Sequence, residues 1–241
     1  MEFAYIEKTS LIDYPQRISS VLFTIGCNFR CPFCHNRTLV IPGEYPVLTL
    51  TESTAFAILS NRKRYIDSVV ITGGEPTIHP ELPSFIQKLK DDGMHVKLDT
   101  NGTNPEMLKG LLAVGALDYV AMDAKAPKDR YSITTGIEVS DEMLRNIESS
   151  IRTVVNSKVP YEIRTTIVPG IHTVDDIERM CEWLAELGVA KFVIQTFRPV
   201  KGALIDASLE TVSEFRESEV AMFVDAAKKK IENVELRDYK R

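Results

Sequence analysis

The sequence predicts an α/β fold in the form of an open, partial (β/α)6 barrel, a TIM-like arrangement with an incomplete ring of strands. Short apolar segments alternate with amphipathic helical segments along the chain, a pattern typical of parallel strands joined by right-handed crossovers. Six strand–helix units can be recognised, which is too few for a closed eight-stranded barrel. A flat, doubly wound sheet is the alternative. Both arrangements place a ligand site at the carboxyl ends of the strands.

Six segments are predicted to be strands because they are short, apolar and rich in β-branched residues. The segment SVVIT at 68–72 has the continuous apolar character of a parallel strand that is buried on both faces. The predicted strands cover residues 18–25, 68–72, 95–99, 117–123, 161–168 and 191–197.

Helices are predicted between the strands from capping residues and apolar periodicity. Thr49 and Glu52 form a capping-box pattern before the first amphipathic run, which extends to about Asn61. Pro80 and Pro105 suit first-turn positions, where proline is favoured. The further predicted helices cover residues 80–90, 105–114, 140–156, 173–187 and 212–231, and residues 124–136 are predicted to form a loop.

Composition favours a single domain, residues 1–241, with a substantial core, since 44% of the residues are hydrophobic and 26% are charged. The net charge of −5 argues against a nucleic-acid partner. No apolar run approaches the roughly 20 residues that span a bilayer, and the N-terminus lacks the layout of a signal peptide. We therefore expect no membrane association and a cytoplasmic location, where thiols stay reduced.

The most informative stretch is residues 26–36, GCNFRCPFCHN, which sets Cys27, Cys31 and Cys34 at a C-x3-C-x2-C spacing. Clustered cysteines in an intracellular enzyme indicate metal binding or catalysis more often than a disulfide. Structural zinc requires four ligands, and an iron–sulfur cubane usually takes four thiolates. Three thiolates would leave one iron open to a ligand from outside the protein. Zinc with His35 as the fourth ligand is the alternative.

Further polar motifs follow the predicted strands. The sequence TGGEP at 72–76 is consistent with a strand-to-helix turn, since Gly-Gly allows free backbone angles, and the carboxylate of Glu75 could hold either this turn or a bound ammonium group. Asp99 ends a strand in DTNG, where Asn-Gly is also a common turn. Asp123 and Lys125 lie two residues apart, so both side chains face the same side of an extended chain. Arg164 at mid-strand needs an anionic partner, either a bound carboxylate or a buried acid.

The cysteine motif, with Phe33 at the position before the last cysteine, resembles the signature of the radical S-adenosylmethionine (SAM) superfamily. The resemblance implies a partial barrel and a [4Fe–4S] cluster whose open iron binds the amino and carboxylate groups of SAM. It also implies reductive cleavage of SAM to a 5′-deoxyadenosyl radical. The three cysteines would bind the cluster. The fourth cysteine, Cys181, lies in a predicted helix and suits a buried apolar position, so no auxiliary cluster is expected.

The set CHN, TGGEPT, DTNG, MDAK and RTTIVPG resembles the glycyl-radical-activating branch, in particular the activators of anaerobic ribonucleoside-triphosphate reductase. The segments KTSLIDYP and TFRP extend the resemblance over nearly the whole chain. It implies an oxidoreductase that forms a glycyl radical on a partner, anaerobic ribonucleotide reductase, with a one-electron donor such as flavodoxin or ferredoxin. A radical SAM enzyme acting on a small molecule or another peptide, and a non-catalytic iron–sulfur or zinc protein, are the alternatives.

The resemblance also implies roles for single residues. Asp99 and Asp123 are similar to the monovalent-cation site of pyruvate formate-lyase activating enzyme, and Asp13 is similar to an acid near the substrate glycine. Where that enzyme has a histidine on the last strand, this chain has Gln195 and Phe197, so Gln195 is the candidate for adenosine. We expect the loop 124–136 to become ordered when the partner docks. The implied cofactor-binding residues are Phe33, Asn36, Gly73, Gly74, Glu75, Asp99, Lys125, Arg164 and Gln195.

Overall fold

The computed structural model describes residues 1–238, which contain one nine-stranded sheet. In chain order the strands are β1 (Glu2–Ser10), β2 (Ser19–Thr24), β3 (Leu50–Thr51), β4 (Ser68–Gly73), β5 (His95–Thr100), β6 (Tyr119–Asp123), β7 (Tyr161–Ile167), β8 (Lys191–Thr196) and β9 (Asn233–Arg237). Their order across the sheet is β3-β1-β2-β4-β5-β6-β7-β8-β9. The strands from β2 to β9 in this order are parallel, and β1 runs antiparallel to β2 and β3. Within residues 1–238 the edge strands β3 and β9 do not pair with each other, so the barrel is open.

Helices connect most of the strands. They are α1 (Arg37–Val40), α2 (Glu52–Asn61), α3 (Leu82–Asp91), α4 (Pro105–Ala113), α5 (Tyr131–Thr135), α6 (Asp141–Asn156), α7 (Val174–Glu186) and α8 (Glu217–Lys228). Short 3-10 turns cover Pro76–Ile78, Lys128–Arg130 and Ala207–Thr211. No helix among residues 1–238 has the length and apolar character required to cross a bilayer.

The six predicted strands are all present as parallel strands, and the predicted α/β class is confirmed. Three strands were not predicted. β1 carries a mixed pattern of exposed and buried residues, β3 has two residues, and β9 is a short, half-exposed edge strand. These features hide the apolar signal by which the inner strands were recognised.

Several helix boundaries differ from the prediction. Thr51, rather than Thr49, caps α2, because its side chain accepts a hydrogen bond from the amide of Thr54. The helix predicted from Pro80 begins two residues later, at Leu82. The predicted terminal helix 212–231 is shorter, since α8 covers Glu217–Lys228.

The segment 124–136, predicted to be a loop that orders on docking, is already folded. It contains a 3-10 turn and α5, and Ala124, Tyr131 and Thr135 are fully buried. Its last residues contact the cysteine loop, since the amide of Arg30 donates to the carbonyl of Thr135 at 2.8 Å. The segment therefore supports the site before any partner is present.

The two faces of the sheet differ in character. One face packs on the helices in the main hydrophobic core, which includes Val69 and Ile71 of β4. The other face holds a small apolar cluster, in which Tyr14 packs with Val21, Val70 and Tyr119. Beside this cluster, β5 and β7 carry charged side chains at alternate positions and β6 ends at Asp123, so this face can bind a polar ligand.

Candidate active site

One pocket, with a volume of about 450 Å³, brings the predicted site residues together, most of them at the carboxyl ends of the parallel strands. Each cysteine of the loop faces it, and so does each residue predicted to contact a cofactor. The predicted residues that line the pocket are Asp13, Cys27, Cys31, Phe33, Cys34, Asn36, Gly73, Gly74, Glu75, Asp99, Asp123, Lys125, Arg164 and Gln195. Cys181 is not among the lining residues and is fully buried in α7, as expected of an apolar core position.

Hydrogen bonds fix the cysteine loop between β2 and α1. The amide of Gly26 donates to the carbonyl of Leu39 at 2.7 Å. The guanidinium of Arg30 folds back over the loop and donates to the carbonyls of Cys27 at 2.6 Å and Phe29 at 2.7 Å. These bonds fix the backbone that carries the three thiols lining the pocket.

The three thiols of the loop are free and largely buried. Burial raises the pKa of Cys27 to about 12 and that of Cys31 to about 11, and it also raises the pKa of Cys34. The thiols are therefore neutral near pH 7, and metal binding must displace their protons.

The alternative of a zinc site with His35 is not supported. The His35 ring stacks on Phe197, with ring centroids 5.7 Å apart, and its Nε2 lies 2.7 Å from the carbonyl oxygen of Arg198. Among residues 1–238, no group of three or more His, Cys, Asp or Glu side chains converges on a single-ion site. Three thiols that line the pocket without a fourth protein ligand fit a cluster with one open iron better than one tetrahedral zinc.

The glycine turn after β4 packs directly on the cysteine loop. Gly73 has a positive φ of +115°, and a Cβ at Gly74 would lie 1.8 Å from the carbonyl oxygen of Gly26. The amide of Gly74 donates to Thr24 at 3.0 Å, and the side-chain amide of Asn36 donates to the carbonyl of Gly73 at 3.3 Å. Glycine is thus required at both positions, because a Cβ at Gly73 would collide with the backbone of Thr24 and one at Gly74 with that of Gly26. Both glycines also line the pocket.

Glu75 holds this turn, which was one of its two predicted roles. Its buried carboxylate accepts hydrogen bonds from the amide and hydroxyl of Thr77, the hydroxyl of Thr100 and the amide of Asn101, at 2.6–3.0 Å. Burial raises the pKa of Glu75, although these donors act in the opposite direction. Because four donors already surround it, the carboxylate ties the end of β4 to the end of β5.

A charged network crosses the pocket floor from β5 to β7. Arg164 bridges two acids, with its Nε 2.5 Å from Asp123 and an Nη 3.0 Å from Asp99. Lys125 Nζ donates to the second oxygen of Asp123 at 2.8 Å. Burial alone would raise the pKa of Asp123, but the charges of Arg164 and Lys125 hold it well below its usual range. Asp123 therefore stays ionised.

Sequence reasoning missed the lower layer of this network. Lys97, which is 1% exposed, donates to Asp99 and lies over the ring of Tyr119. Glu162 is fully buried and accepts two bonds from Arg237 of β9, at 2.9 and 2.8 Å. Both residues could have been recognised from their spacing. Lys97 precedes Asp99 by two residues and Glu162 precedes Arg164 by two, so each lies on the same face of its strand as a predicted site residue.

His172 is a second residue that the sequence did not indicate. Its Nδ1 accepts from the amide of Val168 at 3.1 Å, so its Nε2 carries the proton and donates to the carbonyl of Lys125 at 2.8 Å. Burial lowers the pKa of His172, which favours this neutral form. The ring packs edge-on against Phe33, so it links the ends of β6 and β7 to the cysteine loop.

The end of β8 forms the far wall of the pocket. Gln195, Thr196 and Arg198 line it, whereas Phe197 points elsewhere and stacks on His35. Asp13 lines the pocket from the segment between β1 and β2, and its carboxylate accepts from the hydroxyl of Ser10 at 2.5 Å. The pocket is therefore bordered by both segments that extended the sequence resemblance beyond the barrel motifs.

The sequence profile of the radical SAM superfamily matches residues 21–197, which contain the cysteine loop and the strands that carry the charged network. The chain belongs to the radical SAM superfamily. It is accordingly an enzyme whose family uses a [4Fe–4S] cluster and SAM. Cys27, Cys31 and Cys34 are the thiol set that fits this cluster.

Two relatives define the position of this radical SAM enzyme in the superfamily. A Methanocaldococcus jannaschii protein, named as a candidate glycyl-radical enzyme activating enzyme, is 33% identical over 230 residues, 95% of this chain and 92% of the relative. The pyruvate formate-lyase-activating enzyme of Clostridium pasteurianum is 32% identical over 175 residues, 69% of this chain and 68% of that protein.

A solved structure supports the fold of this radical SAM enzyme. The crystal structure of QueE from Escherichia coli superposes with a TM-score of 0.58 at 16% identity, covering 100% of this chain and 94% of QueE. At this identity the likeness concerns the fold alone. It agrees with the partial barrel predicted from six strand–helix units.

Proposed function

We propose that this enzyme generates a glycyl radical on a partner protein, and that the partner is anaerobic ribonucleotide reductase. The observation that carries the proposal is the single pocket in which the cysteine loop, the glycine turn, the Asp99–Arg164 network and Asp13 meet. Similarity over 95% of the chain to a candidate glycyl-radical activating enzyme supports the reaction class. The KTSLIDYP and TFRP segments, which resemble the reductase activators, both border this pocket and support the choice of partner.

We assign a binding role to each group of residues that lines the pocket. When bound, the cluster and SAM supply a 5′-deoxyadenosyl radical that removes a hydrogen atom from the partner glycine. Arg164 and Lys125 present cations to the carboxylate of SAM, and Asn36 and the Gly73–Gly74 turn present polar groups to its amino acid part. Gln195 is the candidate for the adenosine end, on the far wall of the pocket.

Asp13 is the candidate contact for the partner. Its carboxylate lines the pocket, and the neighbouring Leu11 and Ile12 are 73% and 63% exposed. The open barrel leaves this side free for a backbone segment to enter. A glycine without a side chain could reach the pocket there at low steric cost.

An external one-electron donor, such as flavodoxin or ferredoxin, is part of the proposal. The sequence has four cysteines, and Cys181 is buried in α7 away from the pocket. The chain therefore has no second cysteine cluster for an auxiliary centre. Free thiols throughout are consistent with the cytoplasm, which we propose as the location.

The test uses the full-length enzyme, reconstituted anaerobically with iron and sulfide. It is mixed with SAM, a chemical reductant and the large subunit of an anaerobic ribonucleotide reductase. The expected result is the electron-spin-resonance doublet of a glycyl radical on the reductase. A reductase whose radical-site glycine is replaced by alanine is the matched control and should give no doublet.

Two outcomes would contradict the proposal in different ways. Formation of 5′-deoxyadenosine without a doublet would leave a radical SAM enzyme that acts on a small molecule or another peptide. Failure to cleave SAM, with a cluster spectrum that does not respond to SAM, would indicate a non-catalytic iron–sulfur protein.

A further inference from the structure

The two acids expected to bind a monovalent cation, Asp99 and Asp123, already have cationic partners within the protein. The oxygens of Asp99 accept from Lys97 and, at 3.0 Å, from Arg164. The oxygens of Asp123 accept from Arg164 at 2.5 Å and from Lys125 at 2.8 Å. Each of the four carboxylate oxygens thus carries a charge-assisted hydrogen bond.

The charge count of this layer also opposes a further cation. Lys97, Lys125 and Arg164 provide three positive charges for the two carboxylates. Glu162 lies 3.8 Å from the guanidinium of Arg164 and also accepts two hydrogen bonds from Arg237. Counting Glu162 and Arg237 together adds one charge of each sign and leaves the difference unchanged. The excess is one positive charge, which matches one incoming carboxylate. Adding Na⁺ or K⁺ would bring a fourth positive charge beside three others in a partly desolvated site.

Lys97 is built into the sheet rather than held at the surface. Its neighbours across the sheet are Val70 on β4 and Tyr119 on β6, and its ammonium group lies 5.9 Å from the centre of the Tyr119 ring. It is 1% exposed, and it is not among the residues that line the pocket. Its ammonium group therefore lies between Asp99 and Tyr119, outside the lining of the pocket, and is shielded from the solvent.

We propose that Lys97, together with Arg164, supplies the charge that a monovalent cation would otherwise have to supply between Asp99 and Asp123. SAM binding in this enzyme then does not depend on Na⁺ or K⁺. Lys97 is a positioning residue, which orients Asp99 and through it Arg164. The inference rests on SAM binding at this pocket and is independent of the identity of the protein partner.

The experiment measures SAM binding by the reconstituted enzyme alone, from the change that SAM causes in the electron-spin-resonance spectrum of the reduced cluster. Titrations are run at constant ionic strength in potassium chloride, sodium chloride or tetramethylammonium chloride. The dissociation constants should agree within about twofold, since no site for a small cation has to be filled. A loss of about tenfold or more in tetramethylammonium chloride, with recovery in potassium chloride, would overturn the proposal.

The variant Lys97→Met tests the residue itself. Removing the ammonium group opens a place for a cation, so SAM should bind about tenfold more weakly in tetramethylammonium chloride and recover in potassium chloride. Lys90→Met is the matched control, because Lys90 pairs with Asp118 at 2.6 Å outside the pocket. It should behave like the wild type in all three salts.

An affinity of Lys97→Met equal to that of the wild type in every salt would also refute the inference. If Lys97→Met fails to fold, the wild-type salt series still decides the question. A wild-type enzyme that binds no SAM in any salt would instead contradict the function of the pocket, so the two failures can be distinguished.

Discussion

Gly74 and Gly26 approach each other so closely that a Cβ at position 74 would lie 1.8 Å from the carbonyl oxygen of Gly26. The contact joins the turn after β4 to the first residue of the cysteine loop. A hydrogen bond from the amide of Glu75 to the same carbonyl, at 2.8 Å, reinforces it. The position of the thiols therefore depends on the absence of a side chain at Gly74, in the turn after β4.

The first prediction follows from this contact. Gly74→Ala should displace the cysteine loop, costing about 3 kcal/mol of unfolding free energy and reducing the iron content after reconstitution. Gly110→Ala is the matched control, since Gly110 is exposed in α4 and a Cβ there would meet nothing within 4 Å. It should stabilise the protein by about 0.5–1 kcal/mol. Thermal unfolding and iron analysis of both variants give the comparison, and equal behaviour would refute the account of the contact.

The second prediction separates the four cysteines. Cys31→Ala should abolish the visible absorption of the reconstituted cluster and the formation of 5′-deoxyadenosine, because Cys31 lines the pocket with the other two thiols. Cys181→Ala should retain both and lose about 1 kcal/mol of stability, as a small truncation in a core helix. Equal loss of the cluster in the two variants would mean that the ligands are wrongly assigned.

The third prediction concerns the guanidinium that bridges β5, β6 and β7. Arg164→Lys should weaken SAM binding by at least about tenfold, because a single ammonium group cannot contact Asp99 and Asp123 together. Equilibrium binding of SAM to the reconstituted variant measures the effect.

Arg179→Lys is the matched control for Arg164→Lys. Arg179 likewise pairs with more than one acid, namely Asp129, Asp175 and Asp176, but its side chain is 39% exposed and lies outside the pocket. This variant should bind SAM normally and lose at most about 1 kcal/mol of stability. An equal loss of SAM affinity in both variants would argue against a direct role for Arg164.

The fourth prediction is a pH dependence of stability. Burial alone would raise the pKa of Glu162, but the hydrogen bonds from Arg237 and the charge of Arg164 lower it to about 2. Since the folded pKa lies below the unfolded value, the contribution of Glu162 is complete above about pH 4.5 and is lost as the pH falls towards about 2. Its size is about 3 kcal/mol.

Urea denaturation of Glu162→Gln between about pH 6 and about pH 3 tests this dependence. The variant should be less stable than the wild type near neutrality and should lose less stability on acidification. Glu232→Gln, at an exposed position, should follow the wild-type curve. If the unfolding free energy of Glu162→Gln fell with pH in parallel with that of the wild type, the acid sensitivity would have another origin.

The sequence was sufficient to predict the parallel core of the sheet and the residues that surround the pocket. The sheet was predicted from short apolar runs such as residues 68–72. The pocket residues were predicted from polar motifs, most of which directly follow a predicted strand. Since parallel strands end at one edge, motifs that lie far apart in the chain had to meet there. The structure agrees, because Cys27, Gly73, Asp99 and Arg164 line one pocket.

What could not be predicted was contact between strands. Glu75 had two possible roles from sequence, and only its four donors from β5 and the adjacent turn distinguish them. Lys97 and Glu162 were missed because an ionisable residue within an apolar strand gives no local sign of its partner. Likewise, the sequence gives no sign that α5 contacts the cysteine loop, where the amide of Arg30 donates to the carbonyl of Thr135 about a hundred residues later in the chain.

The pairing of Glu162 with Arg237 makes the last strand part of the interior of the enzyme. Arg237 is contributed by β9, an edge strand close to the C-terminus. Digestion by a carboxypeptidase past Asp238 would remove this guanidinium. The buried carboxylate of Glu162 would then lose this partner beneath Arg164. Shortening the polypeptide at its tail would thus change the charges beneath the pocket, although Arg237 and Asp238 are not among the residues that line it.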